Sequence, residues 1–264
     1  MMDRADVRFY GDAPYRAAVV HGGPGAPGSV APAARRLAAS GIGALEPLQT
    51  ETTVQGQIDE LADAIRPYPP LTLIGHSWGS WLVYLTAAQY PDLVRKLILV
   101  SSGPFEAHYA ASIMSTRLSR LTESQREQAD IYMHRWKETE ASFTPREWAD
   151  FGALVASADT YAPVSVGEAD DLIPCDGAAF LGVWDEADAM RRSGALLSRA
   201  SGIKCPVTAV HGDYDPHPYR GVETPLANVL DDFRLILLER CGHEPWRERY
   251  ARDTFFQRLQ DEII

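Results

Sequence analysis

The sequence predicts an α/β fold, and three observations carry that reading. Short apolar runs recur along the 264 residues, amphipathic stretches separate them, and turns rich in Gly or Ser follow several of the runs. Apolar runs of four to eight residues bounded by turn signals read as strands buried on both faces. Strand–helix–strand repetition with short loops then gives a parallel sheet flanked by helices.

The first run, Ala17–Val20, ends in His21-Gly22-Gly23-Pro24-Gly25, and Ile42–Leu45 is a weaker second run. Val54, Ile58, Leu61 and Ile65 follow offsets of 4, 3 and 4, which puts them on one face of a helix. Leu71–Ile74 leads into Gly75-His76-Ser77-Trp78-Gly79 and the helical stretch Ser80–Gln89. Leu97–Val100, Val207–Val210 and Leu235–Leu238 complete the set of strands. Trp246, Tyr250, Phe256, Leu259 and Ile263 give a closing, less regular helical stripe. From Pro104 to Ile203 the pattern is mostly helical, with Arg117–Gln128, Pro145–Ser157 and Leu181–Ser198 as candidates and no clear strand. A helical block of this length between two strands predicts a cap over the sheet. The expected division is a core of residues 1–103 and 204–264 and a cap of residues 104–203.

Composition excludes several classes of function. The 25 Lys and Arg against 36 Asp and Glu give a net charge of −11 with no basic cluster, so nucleic acid is not an expected partner. No apolar stretch approaches the ~20 residues of a membrane span, and the first residues lack the pattern of a signal peptide. Cys175, Cys205 and Cys241 form neither a metal-ligand pattern nor a disulfide framework. Their expected use is as small buried side chains, and a reduced, cytoplasmic location is expected. The predicted cap holds 16 acidic and 9 basic residues, −7 of the −11. That balance reads as solvated helix faces, or as a field favouring neutral or cationic substrates over anions.

Two motifs carry chemistry. Gly75-His76-Ser77-Trp78-Gly79 lies between a strand and a helix. A turn tight enough to push the Ser77 hydroxyl out of the sheet strains the serine backbone and crowds positions two residues away, which Gly75 and Gly79 relieve. His21-Gly22-Gly23-Pro24-Gly25 is a rigid turn whose backbone N–H groups are free of side-chain obstruction. Acyl transfer needs two such donors on the developing oxyanion. The N–H of Gly23 and that of Trp78, at the start of a helix, are the candidates.

A serine alcohol needs a base, and the base needs an acid to orient it. Of the seven histidines, His243 in Cys241-Gly242-His243 follows the last apolar run and so opens at the same sheet edge as Ser77; His217 is its rival. His21, His76 and His211 sit in glycine turns, where structural hydrogen bonds are expected. The loop after Val207–Val210 offers Asp213 and Asp215; Asp215, before Pro216, is the preferred acid, and Asp213 is expected to brace the turn.

The order Ser77…Asp215…His243 resembles the α/β-hydrolase superfamily. The likeness spans nearly the whole chain. It implies a mostly parallel eight-stranded sheet with a helical cap inserted after the sixth strand. The HGGPG run with a G-x-S-W-G-S elbow is similar to the proline iminopeptidase group, although His76 stands where that group usually has Gly or Gln. The resemblance implies a cofactor-independent, metal-free serine hydrolase with Ser77, Asp215 and His243 as triad and Gly23 and Trp78 as oxyanion donors. Its expected substrate is a small ester or amide, or a short peptide. A carboxylesterase, a lyase, a perhydrolase and a non-catalytic receptor are the alternatives on the same fold. Tyr109, Tyr132, Trp136, Trp148 and Trp184 are candidate pocket-lining residues in the cap.

Overall fold

The computed structural model describes residues 6–24, 27–138, 144–165 and 177–264. Seven strands form one sheet in the order β1-β3-β2-β4-β5-β6-β7. They are β1 (Val7–Tyr10), β2 (Tyr15–Val20), β3 (Gly43–Pro47), β4 (Leu71–His76), β5 (Val94–Val100), β6 (Val207–Gly212) and β7 (Phe233–Leu238). Only the pairing of β1 with β3 is antiparallel. All six apolar runs fall in strands, apart from Ile42, which directly precedes β3. The strand that the pattern missed is β1, a partly exposed edge strand with Phe9 53 % accessible. An antiparallel edge of this kind lacks the continuous apolar run of a strand covered on both faces.

The expected count of eight strands is therefore corrected to seven among the described residues, and the helical insertion follows the fifth strand, not the sixth.

Alternating side chains send successive residues of each strand to opposite faces. Ala18, Val20, Leu73, Leu97, Leu99 and Ala209 pack on one face with α2 (Val54–Ile65) and α3 (Trp78–Gln89). Ala17, Val19, Ile74, Ile98 and Val210 pack on the other with α1 (Ala31–Ala39) and, at the chain's end, the helix Arg252–Ile263. The predicted stripe on α2 is the buried one: Val54, Ile58, Leu61 and Ile65 all lie in the core. Trp246 and Tyr250 precede the last helix, Trp246 in a short 3-10 turn, which is why that stripe was irregular.

Between β5 and β6 lie α4 (Ala107–Ala110), α5 (Ile113–Arg120), α6 (Glu123–Glu138), α7 (Pro145–Asp159), α8 (Gly177–Ser193) and α9 (Ala195–Ser198). Two of the predicted helices are broken by local chemistry. Thr122 and Gln125 bond reciprocally, Thr122 N–H to Gln125 Oε1 at 3.0 Å and Gln125 N–H to Thr122 Oγ1 at 3.4 Å. That capping box starts α6 inside the expected Arg117–Gln128. Gly194, at φ +79°, separates α8 from α9. The third, Pro145–Ser157, is α7, opened by a capping box between Thr144 and Glu147. The remaining helix of the second half is α10 (Arg220–Val229), so the last helix is α11 (Arg252–Ile263).

Candidate active site

The parallel strands end at one edge of the sheet, and their registers bring the predicted residues there. Val20 pairs with Gly75, His76 with Val100, and Gly212 with Leu238. Ser77 follows β4 directly and has φ 54° and ψ −116°. A non-glycine residue in that region is strained and is held by its surroundings. Its N–H donates to Val100 O at 3.0 Å, and Ser80 Oγ donates to Gly75 O at 2.7 Å. A Cβ on Gly75 would lie 2.2 Å from Gly79 O, and one on Gly79 would lie 2.5 Å from His21 O. The two glycines are there because backbone occupies the space a side chain would need. The turn from β2 comes equally close: a Cβ on Gly22 would meet His76 Nδ1 at 2.8 Å and Ser77 Cβ at 3.0 Å. Gly23 beside it has φ +54°. Trp78 is the first residue of α3, so its N–H has no partner within the helix.

Asp215, in the loop after β6, is 7 % accessible and binds two imidazoles at once. His243 Nδ1 donates to Oδ2 at 2.8 Å. His217 Nδ1 donates to Oδ1 at 2.8 Å, and the His217 backbone N–H donates to the same oxygen at 2.9 Å. Of the two carboxylates in that loop, Asp215 is thus the one that meets His243. Asp213 accepts the Cys241 N–H at 3.2 Å and so ties the two loops together. His21, His76 and His211 each donate to a backbone carbonyl: Gly22 at 3.0 Å, His243 at 2.9 Å and His217 at 2.8 Å. His76 also packs its ring against those of His243 and Trp246.

The His243 loop is held by the helical insertion, which the sequence did not foretell. His243 N–H donates to Asp159 O at 2.9 Å, and a Cβ on Gly242 would meet that carbonyl at 2.1 Å. Buried Glu248 accepts the N–H groups of Tyr161, Ala162 and Gly242 at 2.7, 2.8 and 2.9 Å. One carboxylate therefore fixes both the end of α7 and the turn before His243.

Environment separates the two imidazoles on Asp215. Burial opposes a charge on His243, but the Asp215 carboxylate outweighs it and lifts His243 above the ordinary histidine value. Burial prevails at His217, with His243 and Arg117 adding to it, and lowers it to about 4. His217 Nε2 faces Arg117 Nη2 at 3.5 Å, where a proton on that nitrogen is disfavoured. Asp215 itself lies well below the usual carboxylate range, because the surrounding histidines outweigh its burial. His243 is the better base of the pair. Asp215, His217 and His243 are also the described group whose ligand atoms come within 4.8 Å of one another, as a metal site would require. Both carboxylate oxygens already accept N–H protons there, so this hydrogen-bonded arrangement is not a ready metal cradle.

A cavity of about 200 Å3 opens on Ser77 and Trp78. Its walls include Trp81, Met114, Arg117, Trp184, Arg191 and His217. Of the three predicted lining residues whose side chains are described, Trp184 alone stands there, its ring parallel to that of Trp81 at 6.2 Å. Tyr132 is instead buried in the insertion against Phe151, and Tyr109 packs beside His108 and Gly221 and is not one of the described walls. The side chains of Trp136 and Trp148 lie outside the described residues, as does Cys175. Cys241 is fully buried and Cys205 half-buried, both as free thiols.

A strained serine at a strand-to-helix turn and a hydrogen-bonded Asp–His pair on the loops at the same carboxyl edge of a parallel sheet fit the α/β-hydrolase architecture. The profile of the Alpha/beta hydrolase family matches residues 8–255, and the chain belongs to that family. Among solved structures it is similar to VinJ, with 18 % identity, 97 % of this chain and 93 % of that one covered, and a TM-score of 0.68. It is similar as well to a monoacylglycerol lipase from Paleococcus ferrophilus (16 % identity, 97 % of each chain, TM-score 0.61). The esterase EaEST from Exiguobacterium antarcticum is comparable (16 % identity, 97 % and 94 % covered, TM-score 0.62). At these identities the likeness is one of fold. No protein of curated function matches the sequence.

Proposed function

We propose that this protein is a serine hydrolase that cleaves a small ester through an acyl-enzyme on Ser77, without a cofactor. The observation that carries the reading is the 2.8 Å bond from His243 Nδ1 to buried Asp215, on the same sheet edge as the strained Ser77 and its cavity. Asp215 holds the Nδ1–H tautomer and leaves Nε2 of His243 as the base. Ser77 Oγ attacks the carbonyl carbon while His243 takes its proton. The N–H groups of Gly23 and Trp78 hold the oxyanion, and the imidazolium passes its proton to the leaving alkoxide. Water then repeats the sequence on the acyl-enzyme and returns the serine. The helical insertion acts as the cap that shapes the cavity and excludes bulk water.

The cavity's described walls favour an ester over a peptide with a free amino terminus. They carry two guanidinium groups and no carboxylate, so no described wall offers an ammonium a counter-charge. The free thiols of Cys205 and Cys241 support a reducing, cytoplasmic setting, and among the described residues no helix is long and apolar enough to cross a membrane.

Ser77→Ala tests the reading. Turnover of short acyl p-nitrophenyl esters should fall by ~10⁶, as in other serine triads, and fluorophosphonate labelling should disappear. Undiminished turnover by a folded Ser77→Ala protein refutes the nucleophile. Prolyl- and alanyl-arylamides run alongside test the aminopeptidase alternative. If they turn over faster than the esters, the peptidase reading replaces the esterase one.

A further inference from the structure

The two guanidinium groups of the cavity differ in how they are satisfied. Arg117 on α5 is held by Asp159, Nε to Oδ1 at 2.8 Å and Nη2 to Oδ2 at 2.6 Å. Arg191 on α8 pairs through Nη2 with Asp188 Oδ1, but the other oxygen of Asp188 is taken by Arg192 Nη1 at 2.8 Å. Two guanidinium groups thus share one carboxylate, leaving a unit of positive charge. The Arg191 side chain is only 11 % accessible, and its Nε is buried without a hydrogen-bond partner among the described residues. A buried charged donor with no acceptor is costly, and native proteins leave few of them. Its described surroundings supply no acceptor for it. Trp81 lies with its ring centroid 5.5 Å from the guanidinium carbon, and none of the cavity's described walls is acidic.

We infer that the substrate itself carries an anionic group, a carboxylate, which the Arg191 guanidinium at the cavity wall holds while the ester lies at Ser77. This rests on the serine-hydrolase reading and names the substrate class for it. A guanidinium suits the task because it stays charged and presents its donors in a fixed plane. The cavity is small, about 200 Å3, so the anion belongs to a short molecule such as a monoester of a small dicarboxylic acid. It also reverses the expectation drawn from composition. The acidic residues of the insertion give it a negative balance, but the described walls around Ser77 are basic.

The carboxylate can sit on the acyl side or on the alcohol side, and two substrate pairs separate these. The acyl pair is p-nitrophenyl hemiglutarate against p-nitrophenyl valerate. The alcohol pair is 4-acetoxybenzoate against its methyl ester. In one pair the wild-type protein should prefer the anionic member in kcat/KM by at least tenfold. Arg191→Met should lower that anionic-to-neutral ratio by about 10- to 100-fold, the range for one hydrogen bond to a charged group, mostly through KM. Arg191→Lys, which keeps the charge but not the planar set of donors, should lower it by less, and guards against misfolding in the methionine variant. Arg192→Met, which leaves Asp188 to Arg191 alone, should lower the ratio as well, but by less than Arg191→Met, because Arg191 still lines the cavity.

A wild-type ratio below one in both pairs, or a ratio that Arg191→Met does not change, overturns the inference. If no ester is turned over at all, the hydrolase reading fails, and the anion site is then judged by glutarate itself. Quenching of tryptophan fluorescence by glutarate that is weaker in Arg191→Lys than in the wild type supports the site, and equal or absent quenching overturns it.

Discussion

Asp215→Asn isolates the tautomer of His243, and the structure says which way the new amide turns. Oδ1 of Asp215 accepts a backbone N–H, that of His217 at 2.9 Å, as well as the His217 Nδ1–H. A backbone donor cannot change its sense. The asparagine oxygen therefore takes the Oδ1 position, and the NH2 group points at His243 Nδ1. The reverse orientation sets two donors against each other in a buried site, at a cost of about 1–3 kcal/mol. Facing an NH2 group, His243 must accept at Nδ1 and carry its proton on Nε2, where it can no longer take one from Ser77. In other triads this tautomer error costs about 10⁴ in kcat, or about 5.5 kcal/mol of barrier. Ester turnover should fall by that factor while the fold holds, and the imidazole 15N shifts of His243 should report the Nε2–H form. A kcat within tenfold of the wild type, or an unchanged tautomer, refutes the reasoning. Asp213→Asn, which keeps an oxygen for the Cys241 N–H, should cost less than tenfold.

The acid limb of kcat/KM should lie above pH 6.5, because Asp215 raises His243 and the base works unprotonated; a limb near 4 would make His217 the base. Stability should follow the opposite group of histidines. His21 and His76, lowered by burial to about 4 and about 3, bind protons more readily when unfolded. Their contribution is complete above pH 6.5 and is lost as pH falls toward the folded values, so the urea midpoint should drop between pH 7 and 4.5; a flat profile contradicts their burial as neutral groups. Gly75→Ala should destabilise by about 3 kcal/mol or more, since its Cβ meets backbone at 2.2 Å. Gly152→Ala, in α7 with nothing within 4 Å, should stabilise by about 0.5–1 kcal/mol, and urea unfolding of the two variants compares them directly.

Residues whose chemistry depends on the backbone were legible in the sequence. Gly75, Gly79 and Ser77 announce a strained turn because only small residues fit where the chain crosses itself. The apolar runs announce buried strands because both faces of each strand are covered. His243 and Asp215 follow from chain order once parallel strands fix a common edge. What pattern could not give is whatever depends on how the insertion's helices rotate about their axes. Trp184 and Tyr132 are both aromatic residues on helices, yet Trp184 faces the cavity and Tyr132 packs against Phe151. Arg117 and Arg191 carry no local signal that separates them from solvent-facing arginines. Glu248 likewise reads as one more acidic residue, although it gathers three N–H groups from two distant loops.

Charge shows the same division between what composition carries and what placement decides. A net −11 describes a field that salt screens within about 8 Å. Most of the insertion's described carboxylates cannot reach the cavity at all, and the two nearest to its arginines are already engaged, Asp159 by Arg117 and Asp188 by Arg191 and Arg192. Inside a small cavity the effective dielectric is low, so one incompletely neutralised guanidinium at contact outweighs several exposed carboxylates at a distance. An acidic protein can on these grounds hold an anion, and the sign of its total charge bears on how fast a ligand arrives more than on which ligand fits.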